Sequence, residues 1–283
     1  MLGQINIFGK DKVETAIERI RTFEPVGEGY YLAFSGGKDS VCVKALCDMA
    51  GVKYDAHYNI TTVDPPELVQ FVKSFPDVIM ERARYSDGTP VTMWNLIPKK
   101  KRPPTRQIRY CCFYLKEHGG EGRFVITGVR HAESARRKND RAGLELGDTM
   151  TGKRELVDPD NPSQELIHIC PTKAQRVLNP IIDWTDEDVW EFIRQYNIPY
   201  CKLYDEGFKR LGCIGCPMAK AEIRKENFER YPKFRKAYIK AFERMLKQRE
   251  ERGLQFVWTD AEDVMRWWLE DTISKDDQIN FIE

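Results

Sequence analysis

Two short stretches of this sequence hold residue types at spacings suited to chemistry. The first is Ser35-Gly36-Gly37-Lys38-Asp39-Ser40, placed directly after the apolar run at 30–34 and before a helical pattern at 41–49. Two glycines between a strand and a helix let successive backbone N–H groups face an anion, and the helix N-terminus adds positive potential. The Lys38 ammonium and the hydroxyls of Ser35 and Ser40 can complete such a phosphate cradle. It is not a Walker A loop, which needs glycine at 32 and serine or threonine at 39, where this chain has Leu32 and Asp39. The second stretch is split: Cys111-Cys112, and far downstream Cys213-Ile214-Gly215-Cys216. Four thiolates brought together suit tetrahedral zinc or an iron–sulfur cluster. Adjacent cysteines fit a cluster, whose irons lie apart, with less strain than a lone zinc ion. Four buried apolar thiols are the plain alternative, since free cysteine is commonly buried.

The elements that must position these groups alternate between strand and helix. Residues 11–24 read as a helix with Val13, Ile17, Ile20 and Phe23 on one face. Strands are expected at 30–34, 54–60, 78–80 and 123–127, with a helix start at Pro65-Pro66-Glu67, where proline suits the first turn. This order predicts an α/β fold, a parallel twisted sheet with helices on both faces. Residues 132–175 are polar and carry Gly143, Gly147, Gly152, Pro159 and Pro162, so they read as a long, mobile insertion leaving the sheet. Regular structure resumes at 177–182, and Thr185 with Asp188 makes a capping box for a helix to about Tyr196. A long amphipathic helix is expected over 228–252, with Tyr231, Phe234, Tyr238, Phe242 and Met245 as its stripe and Gly253 as its stop. Thr259 and Glu262 suggest a capping box for a last helix through Trp267 and Leu269.

The chain has 283 residues, 41% hydrophobic and 31% charged, enough for one α/β domain with an extension and unlike a disordered segment. Its formal net charge of +1 gives no global attraction to nucleic acid, so any such affinity must be local. Neither a secretory signal nor an apolar run long enough to span a bilayer is present, so a cytoplasmic location and no membrane partner are expected. Eight cysteines in a reducing compartment are then not structural disulfides. Cys42 and Cys47 fall on the helix after the phosphate loop and read as core, whereas Cys170 and Cys201 stay open as spare thiols.

Positive charge gathers in two runs. Lys99, Lys100, Lys101, Arg102, Arg106 and Arg109 lead into Cys111, and Arg130, Arg136, Arg137, Lys138 and Arg141 follow the fourth strand. Such density near a phosphate loop suits polyanions, including nucleic acid, although Lys99 to Arg102 alone reads as a solvated loop. Arg224, Lys225, Arg235 and Lys236 read as ordinary surface charge. Trp190, Trp258, Trp267 and Trp268 read as core. His131 lies near the second run, but four scattered histidines give no ligand spacing.

The hexapeptide resembles the PP-loop of ATP pyrophosphatases and phosphoadenosine-phosphosulfate reductases. Cys111-Cys112-Phe113-Tyr114-Leu115-Lys116 is similar to the Cys-Cys segment of cluster-bearing adenylyl-sulfate reductases. In the same order follow Thr127-Gly128-Val129-Arg130 through Arg136, Asn179-Pro180-Ile181-Ile182-Asp183-Trp184, Val189-Trp190, Leu203 through Gly207, and Gly212-Cys213. The resemblance covers roughly residues 30–218. It implies an adenine-nucleotide α-hydrolase-like domain over 1–218, followed by a helical extension over 219–283. It further implies that Ser35, Gly36, Gly37, Lys38, Asp39 and Ser40 hold the phosphates of ATP or adenylyl sulfate. Thr61, Thr62, Asp64, Gly128 and Arg130 would approach the nucleotide. A [4Fe-4S] cluster would sit on Cys111, Cys112, Cys213 and Cys216. Lys38, Asp39 and Arg130 are the implied catalytic set, with Asp39 in the shell of a Mg²⁺ ion.

The reductases carry a catalytic cysteine in a C-terminal tail, and this sequence has no cysteine after Cys216. That departure turns the reading toward the ATP-using branch, which includes tRNA thiolation and the sulfurtransferase of DNA phosphorothioation. There an acceptor attacks the α-phosphate, pyrophosphate leaves, and sulfur displaces AMP. The partners expected on this reading are a nucleic-acid acceptor and a sulfur donor such as a cysteine desulfurase. Reduction of adenylyl sulfate or its 3′-phospho form to sulfite, with thioredoxin, is the alternative. A nucleotide- and cluster-binding regulator acting beside a partner protein is the third.

Overall fold

A computed structural model of the chain describes residues 3, 9–117, 119–147, 154–160, 175–254 and 257–270. The strands are β1 (Tyr30–Ala33), β2 (Tyr54–Asn59), β3 (Val78–Glu81), β4 (Phe124–Ile126), β5 (Leu144–Gly147), β6 (Arg154–Val157) and β7 (Gln175–Leu178). The first five helices are α1 (Lys12–Thr22), α2 (Lys38–Ala50), α3 (Pro66–Lys73), α4 (Met93–Lys100) and α5 (Tyr110–Leu115). Then come α6 (Ala135–Asp140), α7 (Asp186–Gln195), α8 (Ala221–Arg230), α9 (Pro232–Glu250) and α10 (Ala261–Leu269). Among the described residues no helix is long and apolar enough to cross a membrane.

Contacts group the chain into two interleaved units. One comprises residues 1–59, 66–81 and 119–211, the other residues 60–65, 82–118 and 212–283.

The first unit holds a seven-stranded sheet in the order β3-β2-β1-β4-β7-β5-β6. Five strands, β1 to β4 and β7, pair in parallel, with Ala33 opposite His57 and Leu32 opposite Ile126. β1 is apolar and buried because it lies mid-sheet, covered on both edges by neighbours. The chain runs outward from β1 to β3 and then returns to place β4 on the other side of β1. That reversal makes a topological switch point at the carboxyl ends of β1 and β4, where open α/β sheets bind ligands.

The polar stretch over 132–175 does not simply leave the sheet. β5 pairs antiparallel with both β7 and β6, so the insertion extends the sheet past its parallel part. Leu144, Glu145 and Leu146 are all buried, so the strand lacks a half-buried alternation, and four-residue strands among glycines and prolines give too short a pattern to stand out. Residues 148–153 and 161–174 of the insertion, with Cys170, lie outside the described residues.

The second unit packs α4, α5, α8, α9 and α10 around Tyr238. Its ring stands 5.1 Å from Trp94, 5.5 Å from Phe228 and 4.9 Å from Trp268. The helix expected over 228–252 is two helices, α8 and α9. Pro232 has no N–H to donate back to the preceding turn and instead opens α9 at its first position. The last helix is capped by Asp260, not Thr259: the Asp260 carboxylate accepts from the Asp263 amide at 2.9 Å. Arg224 is not a surface charge. It is 3% exposed and donates to the Trp268 carbonyl, while the Trp268 indole donates to the Pro104 carbonyl at 2.7 Å.

Candidate functional site

In the first unit, β1 delivers the chain into the Ser35–Gly37 turn, and α2 starts at Lys38 with Gly37 as its N-cap. The turn needs its glycine at 36. Gly36 has φ +72°, and a Cβ there would meet Val72 Cγ2 at 2.6 Å and Leu68 Cδ1 at 2.8 Å. Gly36→Ala is therefore expected to cost about 1–3 kcal/mol, read as a lowered thermal midpoint. An unchanged midpoint would mean the turn relaxes freely. The serines brace the turn: the Ser35 hydroxyl donates to Ser40 Oγ at 3.2 Å, and Ser40 Oγ donates to the Gly37 carbonyl at 2.9 Å. The amides in the first turn of a helix have no internal acceptors, which is what makes this end receptive to an anion.

Two cations and two carboxylates meet here. Lys38 is 6% exposed; its Nζ lies 3.2 Å from Asp39 Oδ1 and 2.8 Å from Asp186 Oδ1. Arg130 follows β4, is 1% exposed, and donates from Nε to Asp39 at 2.7 Å and from Nη2 to Asp186 at 2.6 Å. Its Nη1 donates to the Trp184 carbonyl at 3.1 Å, so all three nitrogens of the guanidinium are held. Burial works against the Arg130 charge, yet Asp39 and Asp186 outweigh it and raise the pKa. Hydrogen bonds from Lys38 first, then Arg130, hold the Asp186 carboxyl below its ordinary range. Gly128 closes the arrangement from β4: a Cβ there would fall 2.9 Å from the Asp39 carbonyl.

Two participants were not singled out from the sequence. Asp186 opens α7 inside the Thr185–Asp188 capping box, whose reciprocal bonds are present. Tyr204 lies in a 3₁₀ turn over Lys202–Tyr204, and its hydroxyl accepts from the Lys38 amide at 2.9 Å. Burial raises its pKa, so the phenol stays protonated. Cys42, Cys47 and Cys201 are fully buried.

The second unit gathers the other sequence-selected residues. α5 carries Cys111 and Cys112, and the loop before α8 carries Cys213 and Cys216. That loop is fixed at its middle: the Ile214 amide donates to the Val63 carbonyl at 2.7 Å, and the Tyr238 hydroxyl donates to the Ile214 carbonyl at 3.1 Å. Cys213 Sγ lies 3.8 Å from Thr61 Oγ1 and 3.6 Å from Asp64 Oδ1, so Thr61 and Asp64 stand beside a thiol. Cys111 is pushed up by its hydrogen bond to Cys112, then by burial and by the charges of Cys112, Cys213 and Cys216. The same hydrogen bond holds Cys112 down, with help from Lys116 and Arg109. Burial pushes the Cys213 thiol up to about 11, and Lys116 is raised by its interaction first with Cys213 and then with Asp64. Cys111 thus feels the other three thiols, and Cys213 feels Cys216. Among the described residues, however, no three His, Cys, Asp or Glu side chains converge tightly enough for a single metal ion.

Residues 29–219, more than half of the chain, match the phosphoadenosine phosphosulfate reductase domain. The chain belongs to this family. Within it, the adenosine 5′-phosphosulfate reductase of Pseudomonas aeruginosa is 28% identical over 200 residues, 69% of this chain and 68% of that protein. The adenosine 5′-phosphosulfate reductase 2 of Bacillus subtilis is 37% identical over 117 residues, 41% of this chain and 39% of that protein. A crystal structure of the phosphoadenylyl-sulfate reductase of Candida auris with phosphate is 14% identical, with a TM-score of 0.46 over 70% of this chain and 88% of that one. The matched span takes in the phosphate loop, Arg130, Asp186 and all four clustered cysteines of this family member.

Proposed function

We propose that this chain adenylates an acceptor at the expense of ATP and couples that step to sulfur transfer, with nucleic acid as the acceptor class. The observation that carries the reading is the junction of Lys38, Asp39, Arg130 and Asp186 at the start of α2. Two cations suit a polyphosphate, and two carboxylates on the same cations suit the divalent ion that accompanies it. Mg²⁺ is held by one or two carboxylates plus substrate phosphates, and Asp39 with Asp186 fits that donor set. Once bound there, the ion would offset charge on the phosphates and on the departing pyrophosphate. Arg130 and Lys38 would then orient the triphosphate so that its α-phosphorus faces the acceptor. In the first step an acceptor oxygen forms a bond to that phosphorus as the bond to pyrophosphate breaks. In the second, hydrosulfide forms a C–S bond as the C–O bond to AMP breaks, with no net oxidation.

The four thiols fit a [4Fe-4S] cluster in kind and number. Each would bind one iron, and the influence of Cys112, Cys213 and Cys216 on Cys111 supports their lying near one another. Such a cluster would supply redox-active iron–sulfur chemistry for handling the incoming sulfur.

The 28% identity to an adenosine 5′-phosphosulfate reductase favours a second reading, sulfite release from a sulfonucleotide. One paired assay separates the two. Anaerobic protein with Mg²⁺ and ATP is expected to release pyrophosphate once RNA or DNA acceptors are supplied, and no sulfite from adenylyl sulfate with thioredoxin. Sustained sulfite release without pyrophosphate would reverse the assignment.

A further inference from the structure

The second unit carries a cleft of about 480 Å³ between α4 and α9 that the proposed chemistry leaves unused. Lys99 and Lys101 line it from the end of α4, and Arg244 and Arg252 line it from α9 and just beyond. Glu251 is the single acid in the lining. Four cations against one carboxylate is a local excess, since the whole chain balances 45 basic against 44 acidic residues.

Among the described residues none of the four cations has a carboxylate partner. The Lys99 ammonium sits 3.6 Å over the Tyr85 ring. Arg244 donates to the Trp94 carbonyl at 2.8 Å and the Lys240 carbonyl at 3.3 Å, which orients the guanidinium without neutralising it. Lys101 is held in a left-handed conformation at φ 55° at the helix end, and Arg249 donates to its carbonyl at 2.8 Å. The Lys101 carbonyl is thereby held, while among the described residues Glu251 is the one acid in the lining against four cations.

Spacing selects the kind of anion. Arg244 lies within α9 and Arg252 just past its end, roughly 12 Å apart by helical rise, and with Lys99 and Lys101 they make four cations along one cleft rather than a single tight pair. A polymer with regularly spaced phosphates can meet them in turn. We propose that this cleft docks the sugar–phosphate backbone of a nucleic acid. The proposal rests on the reading of nucleic acid as acceptor, and it has that acceptor engage residues other than those of the phosphate loop. Contacts to backbone phosphates carry little sequence information, so binding here is set by charge.

The test uses the full chain and a fluorescein-labelled single-stranded RNA of about 30 nucleotides, with anisotropy followed from about 50 to 300 mM salt. Each phosphate contact on a single strand contributes about −0.7 to the slope of log K against log salt. The triple variant Lys99→Gln, Lys101→Gln, Arg252→Gln is expected to flatten that slope by about 2 and weaken binding at least about tenfold near 100 mM salt. Glu251→Gln removes the lone repelling charge and is expected to tighten binding by about twofold. Opposite signs in the two variants exclude general misfolding as the cause. Equal affinity and slope in the triple variant and the parent would overturn the proposal. So would RNA binding too weak to measure, together with protection of the cleft by millimolar inorganic phosphate, which would make it a small-anion site. A fluorescent ATP analogue, titrated in parallel, is expected to bind parent and variants alike. Its failure to bind the parent would sink the adenylation reading and leave the docking result standing.

Discussion

Arg130→Lys is expected to slow pyrophosphate release from ATP by about 10²–10³-fold, the usual cost of losing one preorganised charge donor. The substitution keeps the charge but not the geometry. Arg130 spans two carboxylates and a carbonyl with three separate nitrogens, and a lysine presents one ammonium on a flexible stem. With the bridge gone, Asp39 and Asp186 are tied together through Lys38 alone, and the triphosphate loses a fixed partner. On the proposed reading the loss should fall mainly on kcat, because the loop and the Lys38 ammonium would still hold the nucleotide. Asp186→Asn tests the same junction from its other side and is expected to raise the Mg²⁺ concentration needed for half-maximal rate. If both variants kept the parental rate and Mg²⁺ response, the junction would be a structural ion network and the site would lie elsewhere.

That junction shows where the sequence is readable and where it is not. The loop at 35–40 stands out because its chemistry is contiguous and its flanks change period from strand to helix. Arg130 is visible through its place in a motif after a short apolar strand. Asp186 is a different case: it lies 148 positions from Lys38, and nothing local distinguishes it from the other acids in the first turn of α7. Only the sheet order, which sets β4 beside β1, brings α2 and Arg130 to that helix start. Tyr204 belongs to a recognisable segment, yet its hydroxyl bond to the Lys38 amide is purely tertiary.

Boundaries failed where one residue type outweighed the average pattern. The apolar stripe from Tyr231 to Met245 continues the period of the residues before it, so it hides the break that Pro232 imposes. The charges at 99–102 read as solvated loop, yet Lys99 and Lys100 form the last turn of α4, whose buried face is Met93, Leu96, Ile97 and Pro98. Arg224 looks like surface charge in sequence because a buried arginine needs partners that only the fold supplies. Here the partner is the Trp268 carbonyl. The strand at 144–147 finds its role through pairing with β7, and the strand at 154–157 through pairing with β5, contacts with no local signature.

Replacing any one of Cys111, Cys112, Cys213 or Cys216 with serine is expected to remove most of the iron from anaerobically purified protein, against about four iron and four sulfide per parental chain. Thiolates are the ligands of such clusters, and a serine hydroxyl stays protonated where a thiol ionises. The controls are Cys42→Ser, Cys47→Ser and Cys201→Ser, three fully buried thiols whose loss should cost stability through a buried hydroxyl while leaving iron content near parental. The contrast matters because all seven described cysteines are free, so reactivity alone would not separate ligands from core residues. Because a group that binds only the folded chain stabilises it, iron loss should also lower the thermal midpoint of the parent. That shift should vanish in the four ligand variants, which start without the metal. Stoichiometric zinc in place of iron, with no visible absorbance, would reassign the quartet to a structural ion. Iron retained in all four variants would return these thiols to the apolar core around Tyr238.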